Sequence, residues 1–454
     1  MGRITRRGFL RTTCCTAAGA AAASFNRLGL MSAYAQGTDY KALVCIFLFG
    51  GNDANNMIIP YDTAGYANYA QIRSVLALPQ NTLLPIQPKS QSLPFALHPA
   101  FVGTQSLFNG GQAAAVVNAG VLPQPTTRAQ FLDGQVSIPS NLYSHSDQQQ
   151  QMQTAILDYS TFPAVGWGGR VADQIQAIYG GNFPITISLA GINVFAQGLV
   201  ANPYQTVATS PTESLVGFSG SAADNARLAA FQSLLTFGEG LTLIQAASTA
   251  TSTALTNVQT LAAALATGSP LATKFPSTSL GLQLQQVAQI IKVRAALGLP
   301  RQIFFVSKFG FDTHADQLTT QLALLQDLDQ CISAFYQATV ELGIPQEVST
   351  FTMSDFARTL NPTSTTGSDH AWGSHHLVMG GAVAGGDFYG NWPTLALGGP
   401  NDAGHQGRWV PTTSLDQYGA TLAQWFGVPS VDLPSVFPNL QNFPNQTLGF
   451  LPST

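Results

Sequence analysis

Three of the seven histidines in this 454-residue chain fall within seven positions, in the segment Gly367-Ser-Asp-His-Ala-Trp-Gly-Ser-His-His376. Imidazole and carboxylate groups at that density, set among glycines, are what a hard or borderline divalent cation takes as ligands. The segment reads as a loop, with His370 and one of the pair His375 and His376 as ligands. Only one of that pair is expected to face the ion, because successive side chains of extended backbone point in opposite directions. His370 and His375 are the expected pair.

Four further constellations carry the same residue types. Gly50-Gly51-Asn52-Asp53 closes an apolar run, and its carboxylate either faces a metal or caps an Asx-type turn. Phe311-Asp312-Thr313-His314 places a carboxylate and an imidazole two apart, a spacing that converges on one ion in a loop. The same Asp312 or Thr313 could instead cap the helix that follows. Met353-Ser-Asp355-Phe356 repeats the pattern of an apolar run ending in a carboxylate, with Arg358 available to pair with Asp355 or with an anionic substrate. In Tyr143-Ser144-His-Ser-Asp147, Ser144 has the spacing of a capping box with Asp147. A serine at a helix N-terminus is equally a nucleophile candidate, since the helix dipole and free N–H groups there favour an anionic ester. His405 is a weaker candidate, and His98, before Pro99, reads as structural.

The elements that must position these groups are legible from their periodicity. Ala42–Phe49 is apolar at every position, the mark of a strand buried on both faces. Similar runs occupy 113–119, 184–189, 302–306 and 348–353. Leu318, Leu322, Leu325, Leu328, Ile332 and Phe335 keep helical spacing across 315–342. Strands alternating with helices predict an α/β fold: a doubly wound, mostly parallel sheet with helices on both faces. Sites in such sheets lie beyond the carboxyl ends of the strands, where the polar clusters stand. Residues 200–290, rich in Ala, Ser, Thr and Gln, read as a mainly helical insertion into one domain spanning 36–454.

The first 35 residues read as an export address. Thr5-Arg6-Arg7-Gly8-Phe9-Leu10 matches a twin-arginine signal, and Ala33-Tyr34-Ala35 has the small-x-small form of a cleavage site. Asn26 and Arg27 interrupt the apolar stretch, so no stable membrane anchor is expected. A periplasmic or secreted location follows. Cleavage after Ala35 removes five of the 18 basic residues and none of the 22 acidic ones, leaving a net charge near −9. Such a surface repels nucleic acid. Of four cysteines, Cys45 and Cys331 remain, and both are expected as buried free thiols.

Taken in order, the twin-arginine signal, strand-Gly-Gly-Asn-Asp, Ser-His-x-Asp, Phe-Asp-Thr-His, Ser-Asp-Phe-x-Arg-Thr and Asp-His-x-Trp-Gly-x-His-His resemble a bacterial family of exported proteins. That family is catalogued as a domain of unknown function and looks like a branch of the alkaline phosphatase and sulfatase superfamily. The resemblance implies an alkaline phosphatase-like fold and one or two divalent metals (Zn, Ca, Mg or Mn). It further implies hydrolysis of a phosphate or sulfate ester, on a small molecule or a polymer. By position it implies Asp53, Asp312, His314, Asp355 and His370 or His375 as ligands, and Ser144 as nucleophile. Gln124 stands where the sulfatase signature carries its modified Cys or Ser, which disfavours a formylglycine sulfatase. The alternative is a catalytically silent binding or accessory protein that keeps the fold, with a protein partner.

Overall fold

In a computed structural model, the structure describes residues 40–453 apart from 159–164, 180, 182, 210, 213–220 and 237–241. The export signal lies outside the described residues. The apolar runs become β1 (Lys41–Leu48), β5 (Ala113–Gly120), β6 (Thr186–Ser188), β8 (Arg301–Lys308) and β9 (Val348–Ser354). The short strands β2 (Ile58–Pro60), β3 (Leu84–Ile86) and β4 (Phe95–Leu97) form a separate antiparallel sheet. The remaining strands are β7 (Tyr204–Gln205), β10 (Ser374–Met379), β11 (Phe388–Tyr389) and β12 (Thr413–Ser414).

The main sheet runs β11-β5-β10-β9-β1-β8-β6-β7, with β12 also on β5. Its centre is parallel: β1 pairs with β8 on one side and β9 on the other. Only β10 runs against its neighbours β9 and β5, so the sheet is mixed though mostly parallel. That strand corrects the loop expected at its start. Ser374, His375 and His376 are strand residues, and all three are buried. Local glycines suggested a loop, but ladder bonds from two flanking strands outweigh that weak local preference.

Helices cover both faces, because adjacent strand residues find different helical partners. On one face of β9, Val348 and Thr350 share a crevice with Ile332 and Phe335, from the helix α8 (Gln317–Glu341). On the other, the Phe351 ring meets Trp167 of α4 (Trp167–Tyr179) and Tyr418 of α9 (Leu415–Phe426). The other long helices are α1 (Thr63–Arg73), α2 (Val102–Asn109), α3 (His145–Thr154), α5 (Ala222–Leu234), α6 (Thr242–Ala266) and α7 (Ser279–Lys292). Residues 221–236 and 242–266 are thus largely helical. Both Cys45 and Cys331 are buried free thiols. Among the described residues no helix is long and apolar enough to cross a membrane.

Candidate metal centre

The site is built where β1, β8 and β9 end. After β1 the chain turns through Gly50 and Gly51, both at positive φ. A Cβ at Gly50 would lie 2.4 Å from the Asp312 amide nitrogen, and one at Gly51 would meet the Phe356 ring. Two glycines are therefore what allow the segments after β8 and β9 to close over the end of β1. The Gly50 N–H donates to the Asp355 carboxylate at 3.2 Å. A second frame comes from strand-like pairing of 357–359 with 369–372, in which Ala371 N–H donates to Ala357 and Thr359 N–H to Asp369. This pairing carries His370 across to Asp312.

Four candidate donors lie there, of which His145, Asp312 and His370 are mutually close enough to share an ion. From Asp312 Oδ1, His314 Nε2 is 3.1 Å away, His145 Nε2 3.5 Å and His370 Nε2 3.7 Å. His314 Nε2 and His370 Nε2 are 2.9 Å apart. Donors around one tetrahedral ion, with bonds of about 2.0–2.1 Å, stand roughly 3.3 Å from each other. The four separations bracket that value. His145, Asp312 and His370 by themselves already offer ligand atoms within 4.8 Å of one another.

Each imidazole presents Nε2 inward and turns Nδ1 to an acceptor behind it. His145 Nδ1 lies 2.7 Å from Asp355 Oδ2, and His370 Nδ1 2.7 Å from the Tyr143 carbonyl. His314 Nδ1 lies 3.4 Å from Asp369 Oδ1. An N–H bond at Nδ1 leaves the Nε2 lone pair free, the tautomer a metal ligand needs. His145 Nε2 is buried and has no hydrogen-bond partner among the described residues. Such an orphaned acceptor costs free energy unless something occupies the space it faces. Phe356 walls the rings, its centroid 4.7 Å from that of His145 and 4.6 Å from that of His370.

The electrostatics act on the three groups in different directions. The Asp355 hydrogen bond holds His145 above the ordinary imidazole range, against the opposing effect of burial. Burial is also the main influence on His370 and holds it below that range, in the neutral form. On Asp312 burial acts upward, but the Arg358 hydrogen bond and charge, with His314 and His145 beside it, outweigh it. Its carboxyl stays below the usual carboxylate range.

The structure brings together Asp312, His314, His370 and, one layer out, Asp355. It sets three other sequence expectations elsewhere. Asp53 is fully buried, with its oxygens taken by Arg73, by the Gln317 amide and by the Asn55 N–H. It closes a turn and an ion pair rather than facing the cluster. His375 is buried in β10, where Nδ1 accepts the Asn118 N–H at 3.0 Å and the ring stacks on Trp392. Pairing of β10 with β5 turns it away from the strand ends. Arg358 has no exposed side-chain surface, and it donates to the carbonyls of Gly50, Gly51 and Ser368 and to Asp312. It locks the strand-end loops and orients Asp312 instead of presenting a fork to substrate.

Ser144 is the N-cap of α3, but its side chain makes no capping bond. Its hydroxyl donates to Asp147 Oδ2 at 2.5 Å. The expected capping box is absent, and the serine stands next to His145. His145 itself is the residue that sequence reasoning passed over. The signal was present, since it lies in the same Ser-His-x-Asp motif that pointed to Ser144. Asp369 is the other omission: it backs His314 rather than binding at a strand end.

The fold and this cluster together define an α/β protein with a candidate histidine–aspartate metal site at the carboxyl edge of a mostly parallel sheet. The chain belongs to the DUF1501 family, described as a protein of unknown function, whose model matches residues 40–406. No curated protein matches it. Among solved structures it is similar to the PsFucS1 sulfatase from Pseudoalteromonas sp., at 10% identity over 95% of this chain and 75% of that one, with a TM-score of 0.36. Another is Ps i-CgsB in complex with k-i-k-neocarrahexaose, at 8% identity over 88% of this chain and 77% of that one, with a TM-score of 0.31. At such scores these likenesses assign no role to any residue.

Proposed function

We propose that the protein is an exported, metal-dependent hydrolase of phosphate or sulfate esters with an alkaline phosphatase-like core. The observation that carries the metal is the shared orientation of three imidazoles, Nδ1 anchored outward and Nε2 turned to Asp312. His145, Asp312, His314 and His370 would hold the ion. Three nitrogens and one oxygen suit Zn or a neighbouring transition ion better than Ca or Mg, which prefer all-oxygen shells. When bound, such an ion supplies Lewis acidity toward an ester oxygen and lowers the pKa of a coordinated hydroxyl.

The chain's own groups divide the remaining work. Asp355, the Tyr143 carbonyl and Asp369 fix the ligand tautomers, and Arg358 holds Asp312 ionised. Ser144 is the nucleophile candidate, and Asp147, already accepting its hydroxyl proton, is the base beside it. Metal analysis of the purified exported chain, with an aryl phosphate and aryl sulfate screen, tests this reading. One ion per chain and hydrolysis abolished by His145→Ala are expected. A chain purified and reconstituted without stoichiometric metal would sink it.

A second reading, a metal-bearing accessory protein without turnover, draws on Asp53. The resemblance implies that carboxylate as a ligand, yet Arg73 and Gln317 occupy it. Bound metal with no turnover on any aryl ester would favour that reading.

A further inference from the structure

Arg408 packs against the backbone of His370 with one of its three guanidinium nitrogens in use. Its Nε donates to the His370 carbonyl at 2.8 Å, and its Cζ lies 4.9 Å from the centroid of the Tyr143 ring. His370 and Tyr143 are already joined through His370 Nδ1, so the arginine is fixed against both members of that pair. Its Nη1 and Nη2 have no hydrogen-bond partner among the described residues, and the side chain is only partly buried. That differs from Arg358, whose donors are spent on three carbonyls and a carboxylate.

The backbone under Arg408 is prepared as well. Asp402 is fully buried, and its carboxylate accepts the N–H groups of Gly398, Gly404, Gly407 and Arg408 itself. An arginine on so constrained a loop, stacked on a ring and bonded at Nε, loses little freedom when its fork takes a ligand. With a divalent ion in place, that ion and the guanidiniums of Arg358 and Arg408 offset most of the charge of the nearby carboxylates of Asp312, Asp355, Asp369, Asp402 and Asp147.

We propose that the free fork of Arg408 binds the non-bridging oxygens of a tetrahedral oxyanion, the sulfuryl or phosphoryl group of the substrate, beside the metal centre. This rests on the metal reading above and adds the specificity-determining residue to it. Arg408 touches substrate in this role, whereas Arg358 only positions Asp312.

The test uses the full exported chain loaded with Zn, titrated calorimetrically with inorganic phosphate and, separately, with inorganic sulfate. Wild type is expected to bind one of the two anions. Arg408→Gln should take up Zn within about twofold of wild type and lose at least roughly tenfold in anion affinity. Arg408→Lys, keeping the charge without the fork, should fall between them. Equal anion affinity in wild type and Arg408→Gln overturns the inference, as does a Zn-loaded wild type that binds neither anion. Loss of Zn from both variants also overturns it, because Arg408 would then act only by holding His370. Failure of wild type to take up Zn removes the metal reading, and the inference falls with it.

Discussion

His314 and His370 are 56 residues apart in sequence, yet their Nε2 atoms face each other at 2.9 Å. His370 gives its ring proton to the Tyr143 carbonyl, so its Nε2 presents a lone pair. Two imidazole nitrogens held this close, with a carboxylate oxygen 3.1 Å from one and 3.7 Å from the other, make a natural set of donors for a shared cation.

Removing either face of that pair should empty the centre. His370→Ala and His314→Ala are each expected to take metal content from one ion per chain to well below stoichiometric after dialysis. Elemental analysis on folded protein, checked by circular dichroism, measures it. Full retention of metal in both variants would refute the ligand set.

Asp355 acts through His145, so its loss should weaken the site without abolishing it. Asp355→Asn is expected to reduce metal affinity by roughly 10- to 100-fold, the usual cost of losing an outer-shell carboxylate. A competition titration against a chromogenic chelator reads the change. An unchanged affinity would show that the 2.7 Å contact does not set the His145 tautomer.

Asp53 and Arg73 form a fully buried ion pair, and Arg73 also donates to Asn56 and to the carbonyls of Thr359 and Leu360. Arg73→Ala leaves the buried Asp53 without its counter-ion and takes the Arg73 donor from two buried carbonyls, so a loss of about 3–5 kcal/mol in urea unfolding is expected. Asp53→Asn should keep its metal. Metal loss in a folded Asp53→Asn chain would return Asp53 to the ligand set.

Gly50→Ala tests the closure of the strand ends. The new Cβ meets backbone at 2.4 Å and strains a residue at φ 115°. Displacement of the 311–312 segment is expected, with a stability loss of about 1–3 kcal/mol. Metal affinity should drop in the same variant. A Gly50→Ala protein with wild-type metal affinity would show that this approach does not position Asp312.

Asp416 provides a pH signature away from the centre. Burial pushes its carboxyl up to about 7, although the Asn439 N–H and Ser414 act the other way. The folded chain therefore holds a proton that the unfolded chain releases near pH 4. This stabilisation is complete below pH 4 and is lost as pH rises toward 7. Asp416→Asn removes this titration, so the wild-type minus variant stability difference should fall by on the order of 3 kcal/mol between pH 4 and 8. A difference independent of pH across that window would contradict the raised carboxyl.

Much of the sheet could be read from local pattern, because a strand buried on both faces is largely apolar, as Ala42–Leu48 is at every position. The carboxylates after β8 and β9 were legible for the same reason: chemistry in such sheets collects past the carboxyl ends. His375 was misplaced because a glycine-flanked Ser-His-His segment has no strand signature of its own. Only pairing with β5 and β9 makes β10 a strand, and that pairing buries both histidines.

The sequence by itself determined the kinds of residue at the centre and most of the strand ends that carry them. It could not determine which of neighbouring polar side chains turn inward. His145 rather than Ser144 faces Asp312, Arg358 is spent on carbonyls, and Asp53 answers to Arg73. Those choices rest on contacts between segments tens to hundreds of residues apart, which local periodicity does not encode and only the closed fold supplies.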